Sequence, residues 1–135
     1  MAEEKLSQRR AAELSKKNLN RADLTRQNLV GVNLARANLR GANLSDANMV
    51  CANLREAVLI EAKDYNTNLT DAKLSRAKLD GADFSKADTT GADFRNTNLS
   101  AVRNLTMQQI RVARVDETTR LPQSLKAKMP KTGAN

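Results

Sequence analysis

A spacing of five residues governs this chain from Lys17 to Ala101. Ala22-Asp23-Leu24-Thr25-Arg26 is one unit. Ala37-Asn38-Leu39-Arg40-Gly41 and Ala42-Asn43-Leu44-Ser45-Asp46 are others in the same register. Large apolar residues occupy the unit centres at 19, 24, 29, 34, 39, 44, 49, 54 and 59, and again at 69, 74, 79, 84, 94 and 99. Two residues earlier stands a small residue, Ala in most units, with Lys17, Gln27, Val32, Thr67 and Thr97 as variants. No insertion interrupts the run. A repeat held this long decides the architecture before any local propensity does.

Five fits neither a helix, whose apolar stripe follows a period near 3.6, nor a flat strand of period 2. A chain that points one large and one small residue inward every five, and turns in between, closes into a square tube. Four units make a coil of about 20 residues, and stacked coils pair edge to edge at the strand spacing of ~4.8 Å. Residues twenty apart then stack, which the sequence itself can test. The first side stacks Leu19, Leu39, Leu59, Leu79 and Leu99. The second stacks Leu24, Leu44, Asp64 and Phe84, the third Leu29, Met49, Leu69 and Thr89, the fourth Leu34, Leu54, Leu74 and Phe94. Asp64 and Thr89 are the departures. A carboxylate facing a dry axis is costly unless hydrogen-bonded or neutralised, so Asp64 is protonated, locally paired or pushed out by a bulge.

The unit of Ala, then Asp or Asn, then Leu or Phe, then two looser positions resembles the pentapeptide-repeat family, over 85 of the 135 residues. The resemblance implies an all-β solenoid, a right-handed quadrilateral parallel β-helix, here of about four coils. Asn or Asp just before the apolar residue suits turns, because short Asx side chains bond nearby backbone. Gly31, Gly41, Gly81 and Gly91 fall at one fixed corner position.

Both flanks read as short helical caps. Residues Met1 to Lys16 form an amphipathic pattern, with Leu6, Arg10, Ala11 and Leu14 on one face, suited to covering the open edge of the first coil. After Ala101 the register breaks. Thr106 and Gln109 have capping-box spacing, and Leu105 and Ile110 that of a hydrophobic staple. This helix is expected to reach about Val115, burying Met107, Ile110 and one or more of Val112, Ala113 and Val115. Asp116 to Pro122 is a turn and extended return that looks like the closing segment of many cyanobacterial and plastid family members. The expected division is a cap over 1–16, the β-helix over 17–101, a closing helix and segment over 102–125, and a disordered tail over 126–135.

Composition narrows the chemistry. There is no His and a single Cys, Cys51, which removes the commonest general base, any internal disulfide and any thiolate metal site. Nucleophile-elbow, phosphate-loop and dinucleotide-turn motifs are missing. Carboxylates such as Asp83 and Asp88 recur because the repeat places them at turns. The expectation is a non-enzymatic protein without cofactor or metal. A lone thiol, with no secretory segment and no long apolar run, places it in the cytoplasm without a transmembrane segment.

The net charge of +8 is uneven. Residues 1–40 carry nine Lys/Arg against four Asp/Glu, and residues 102–135 seven against two, while 41–101 carry seven against nine. Basic flanks are either solubilising ends or an attraction for an anionic partner, an acidic protein before nucleic acid or lipid. On the walls, Arg36, Arg55, Lys73, Arg76 and Arg95 fall on the fourth side as a basic strip, interrupted by Glu56 and Asp93. Val30 and Val50 stack on the third side beside Gly31 and Cys51. Val58, Ile60 and Tyr65 take outward positions on the first two sides. They form a small docking patch, unless a distortion around Asp64 turns one or more of them inward, and the distortion is the reading favoured here.

The first functional reading is a scaffold that presents a rigid wall to a protein partner, an anionic one. The family resemblance also implies a DNA mimic that binds a topoisomerase, gyrase, as its quinolone-resistance members do. Mimicry needs a strongly negative surface, and this chain is basic. Direct nucleic-acid binding is the third reading, supported by the strip but opposed by an aromatic content of 2%, too little for base stacking.

Overall fold

The computed structural model describes residues 18–128; the helix expected over Met1–Lys16 lies outside the described residues. From Asn18 to Asp83, each residue that precedes a unit centre forms a parallel bridge with the residue twenty positions later. The first side runs Asn18–Asn38–Val58–Lys78–Asn98 and the second Asp23–Asn43–Lys63–Asp83–Arg103. The third runs Asn28–Asn48–Asn68–Asp88 and the fourth Asn33–Asn53–Lys73–Asp93. The bonds have the even spacing of a parallel ladder. Leu39 N donates to Val58 O at 2.8 Å, Gly41 N to Ile60 O at 2.9 Å, and Lys63 N to Ala42 O at 2.9 Å.

Corners follow from the backbone. Three residues after nearly every unit centre, an amide closes on the centre's carbonyl, as Ala42 N does on Leu39 O and Ala52 N on Met49 O, both at 3.0 Å. The residue before that amide is left-handed, with φ 62° at Cys51, 55° at Asn66 and 63° at Arg36. This is the type II turn, which asks for positive φ at its third position. A side chain there costs roughly 1–2 kcal/mol, yet most corners carry one. Compensation comes from the next coil, where most corner amides find an acceptor, as Cys51 N finds Thr70 O at 2.9 Å. Gly91 is a corner where more than φ matters, since a Cβ built on it would lie 2.1 Å from Asp71 Oδ1.

The Asx residues do what their chemistry suggests. Asn38 Oδ1 accepts from Arg40 N, Asn53 Oδ1 from Arg55 N and Asp88 Oδ1 from Thr90 N, each at 3.1 Å. Val58, Lys63, Lys73 and Lys78 hold the same place without an Asx oxygen.

Inside, the four columns are buried, except that Leu24 in the first described coil is only partly covered. Phe84 and Phe94, from the second and fourth sides, bring their ring centroids within 6.1 Å, so side chains of facing walls meet on the axis. Thr67 and Thr97, where other units have Ala, hide their hydroxyls by donating to Leu44 O (2.7 Å) and Leu74 O (3.0 Å). Thr89 points inward too and donates to Gln109 O at 2.8 Å.

Asp64 also points inward, and the distortion favoured from the sequence is not there. Its bridge neighbours Asn43–Lys63–Asp83 are unbroken. Asp64 N donates to Asp83 O at 2.9 Å, and Thr67 N to Asp64 O at 3.2 Å. Backbone pairing with the coils above and below fixes the rung whatever side chain it carries. Val58, Ile60 and Tyr65 accordingly stay on the outer wall, with Tyr65 41% exposed and the other two half-buried.

Past Ala101 the chain departs from the twenty-residue step. Helix α1, Met107–Arg111, starts with the expected capping box between Thr106 and Gln109. It ends at Arg111, short of the expected Val115, because Arg114 is taken back into the ladder. Arg114 bridges Asp93, its N–H donates to Ala92 O at 2.8 Å, and its carbonyl accepts from Phe94 N at 2.9 Å. Arg120 bridges Asn98 in turn. Helix α2, Gln123–Lys126, buries Leu125, and Lys128 N still bonds Leu125 O at 3.0 Å. The first residues of the expected tail, Lys126 to Lys128, continue from this helix, and residues 129–135 lie outside the described residues.

Two outcomes follow for urea denaturation. Leu54→Ala should cost ~2–5 kcal/mol, because neighbouring coils hold the column open and the cavity cannot collapse; Arg40→Ala, on the outer wall, should cost far less. Lys78→Asn should stabilise by ~0.5–1.5 kcal/mol by supplying the missing acceptor for Asp80 N. Equal losses at Leu54 and Arg40 would contradict the inside–outside assignment.

Candidate interaction surface

The rule of twenty that builds the core also arranges the exterior, since every outward residue lies one rung from its counterpart in the next coil. On the fourth side one corner column reads Arg36, Glu56, Arg76, Asn96. Arg36 Nε donates to Glu56 Oε1 at 2.8 Å across that rung. The Arg36 hydrogen bond, and then its charge, hold the Glu56 carboxyl below its ordinary value, with a smaller contribution from Arg76. Arg95 grips Asp93 on its own rung with Nε on Oδ1 (2.9 Å) and Nη2 on Oδ2 (2.8 Å). That bond is the main reason the Asp93 carboxyl is lowered.

The five cations of the strip occupy rungs and corners of the fourth side and are of two kinds. Arg36 and Arg95 are neutralised by Glu56 and Asp93. Arg55, Lys73 and Arg76 are exposed and make no ion pair among the described residues. The column of 36, 56 and 76 carried the signal for the first pair in its alternating sign; the second is a local contact two residues apart.

The other predicted surface residues lie elsewhere. Val58 and Ile60 sit on the first side, each between polar residues of adjacent rungs, Asn38 and Lys78 in one case and Arg40 and Asp80 in the other. Tyr65 lies on the second side between Ser45 and Ser85, with Lys86 Nζ 5.7 Å from its ring centroid. That cation over the ring face accounts for an exposed aromatic on this wall. The second side is further tied by Asn66 Nδ2 donating to Asp46 Oδ1 at 2.7 Å. Asp83, bonded by Ser85 and Asn104, has a lowered pKa mainly through those hydrogen bonds. On the third side Val30 is 38% exposed beside Val50, with Cys51 exposed at the corner.

Gln109 is the buried polar residue whose reach the sequence did not reveal. Beyond its capping-box role it donates from Nε2 to Phe84 O (2.8 Å) and Ala87 O (3.0 Å), fastening α1 to the coil beneath. Among the described residues no group of three or more His, Cys, Asp or Glu is placed to hold a metal. No described helix is long and apolar enough to cross a membrane.

The profile of the family described as pentapeptide repeats matches in 8 copies, over residues 18–50, 37–76 and 65–100. The chain belongs to the pentapeptide-repeat family. Rfr23, a pentapeptide-repeat protein of the cyanobacterium Cyanothece 51142, is 33% identical, with a TM-score of 0.61, over 73% of this chain and 63% of that one. QnrB1, a plasmid-mediated fluoroquinolone resistance protein, is 16% identical with a TM-score of 0.59, over 82% of this chain and 60% of that one; it shares the fold. HetL of the cyanobacterium Nostoc is 26% identical with a TM-score of 0.49, over 78% of this chain and 60% of that one. The chain thus spans less than two thirds of the length of each of these relatives. No curated protein matches. Family membership carries with it the four-sided β-helix that the twenty-residue bridges display.

Exposed ion pairs in a pentapeptide-repeat wall are screened by salt and contribute little to folding. Raising salt from low to moderate concentration should leave the urea midpoint nearly unchanged. A large drop would mean that the charges of the fourth side hold the fold rather than decorate it.

Proposed function

We propose that this protein is a non-catalytic scaffold whose rigid wall docks an acidic protein partner through the fourth side. The observation that carries this reading is the trio Arg55, Lys73 and Arg76, exposed on one wall without ion-pair partners among the described residues. The backbone grid fixes the stems of these cations, so binding orders side chains but no loop. Arg55 lies on the coil next to the one that carries Lys73 and Arg76, one strand rung of ~4.8 Å away, a two-rung cluster that suits carboxylates carried on an extended or helical surface. Electrostatic steering of this kind sets association rate and partner choice more than raw affinity. Val58, Ile60 and Tyr65, on other sides, are not part of the proposed contact.

In the same reading the unit over 17–101 is the wall, while 102–125 closes its far end against edge pairing. The protein needs no cofactor and works in the cytoplasm. Imitation of DNA is the weaker reading, because a net charge of +8 repels the basic groove a duplex mimic must enter. Nucleic acid as a direct ligand remains secondary to protein, with one tyrosine and two phenylalanines in the chain and both phenylalanines buried.

The test compares wild type with the triple variant Arg55→Glu, Lys73→Glu, Arg76→Glu, each immobilised and exposed to extract of the host at low and at high salt. The expected result is a protein retained by wild type at low salt, released at high salt, and absent from the variant, whose urea midpoint stays near wild type. Retention by the folded variant would overturn the fourth-side assignment, and retention of nucleic acid instead of protein would overturn the partner class.

A further inference from the structure

Most of this protein's interior is built from groups that water does not titrate, and Asp64 is the exception. Among the described residues it is the one charged side chain that is buried, at 2% exposure between Leu44 above and Phe84 below. Its Oδ2 is the one buried side-chain oxygen or nitrogen in the described residues with no hydrogen-bond partner. Nearby polar groups are already committed: Thr67 Oγ1 to Leu44 O, Thr97 Oγ1 to Leu74 O, and Gln109 Nε2 to Phe84 O and Ala87 O. Facing residues of the other walls belong to the apolar core. The charged group that acts on Asp64 is Asp83, on the outer side of the next rung, and it is of the same sign. Lys63, the cation next to it in sequence, is exposed on the outside.

We propose that Asp64 is a proton-dependent weak rung in the middle of the coil stack, seated in the column when protonated and driving local opening of the tube when it ionises. Coils of a solenoid contact only their neighbours, so a charge at one rung weakens that junction and leaves distant coils intact. Burial, then repulsion by Asp83, pushes the carboxyl up from its usual value near 3.8 to about 7. A raised folded-state value means the native form holds a proton that the open form has already released. The contribution to stability is full below about pH 4, declines as pH rises, and is lost once pH passes about 7. Asp23, Glu56, Asp83, Asp88, Asp93 and Asp116 are lowered instead. Their contributions are present above the usual carboxylate range and fade only on acidification below it. The two effects occupy different windows, so the rise from pH 5 to pH 7 reads Asp64.

The experiment is native-state hydrogen exchange at pH 5 and pH 7, corrected for intrinsic exchange, on wild type and Asp64→Asn. Between those values, opening at Asp64 N, Leu44 N and Thr67 N should rise roughly 50-fold in wild type, with a smaller rise at Leu34 N, a coil away. The rise should vanish in the variant. A carbon-detected NMR titration of the Asp64 carboxyl in wild type gives a second readout, with a midpoint expected near 7, and decides the matter alone if the variant does not fold. The same rise in Asp64→Asn, no rise in wild type, or a carboxyl midpoint in the ordinary range near 4 would each overturn the proposal.

Discussion

Everything in this structure depends on the backbone returning to the same place every twenty residues. Each coil is held by hydrogen bonds to the coils above and below, such as Leu39 N to Val58 O at 2.8 Å. Those bonds form only if four equal sides and four left-handed corners add up to one turn. Corner strain at residues such as Cys51, with φ 62°, is tolerated because the alternative is a rung without partners. A five-residue side then leaves room for one large and one small side chain inside, and the leucine columns follow. Buried backbone groups have to be paired, and that requirement outranks local side-chain preference throughout the tube.

Asp64 displays this ranking most plainly. A carboxylate in a dry column could in principle escape by a bulge, but a bulge would unpair amides in three successive coils, beginning with Leu44 N on Lys63 O and Asp64 N on Asp83 O. Keeping the side chain inside, with Oδ2 unbonded and burial pushing the carboxyl toward its neutral form, is the smaller penalty. The same logic stops α1 at Arg111, since Phe94 N and Ala92 O need Arg114 at the end of the ladder. Helix propensity beyond that point counts for less than two backbone bonds.

The columns, the corners and the Asx turns were legible in the sequence because each is a consequence of a single number, the five-residue period. The exterior was legible only in part. The period correctly places Arg36, Arg55, Lys73, Arg76 and Arg95 on one side. Which of them are free depends on side-chain contacts such as Arg95 with Asp93, which the period does not encode. The outcome at Asp64 hinged on a comparison of backbone and side-chain penalties, and the sequence states neither. Gln109 shows the same gap, because its two bonds to Phe84 O and Ala87 O cross between segments with different registers.

A register that closes on twenty residues can be tested by insertion. Two variants are compared with wild type by urea denaturation: one with a second copy of residues 38–57 placed after residue 57, the other with a single alanine inserted after residue 57. The duplicated coil should fold, with a midpoint at or above wild type, because it restores every column and every bridge one rung further on. The single alanine should lower the midpoint sharply, because it throws the later columns out of step with the earlier ones. If the whole-coil insertion were as damaging as the single residue, the closure of the coil on twenty residues would be wrong.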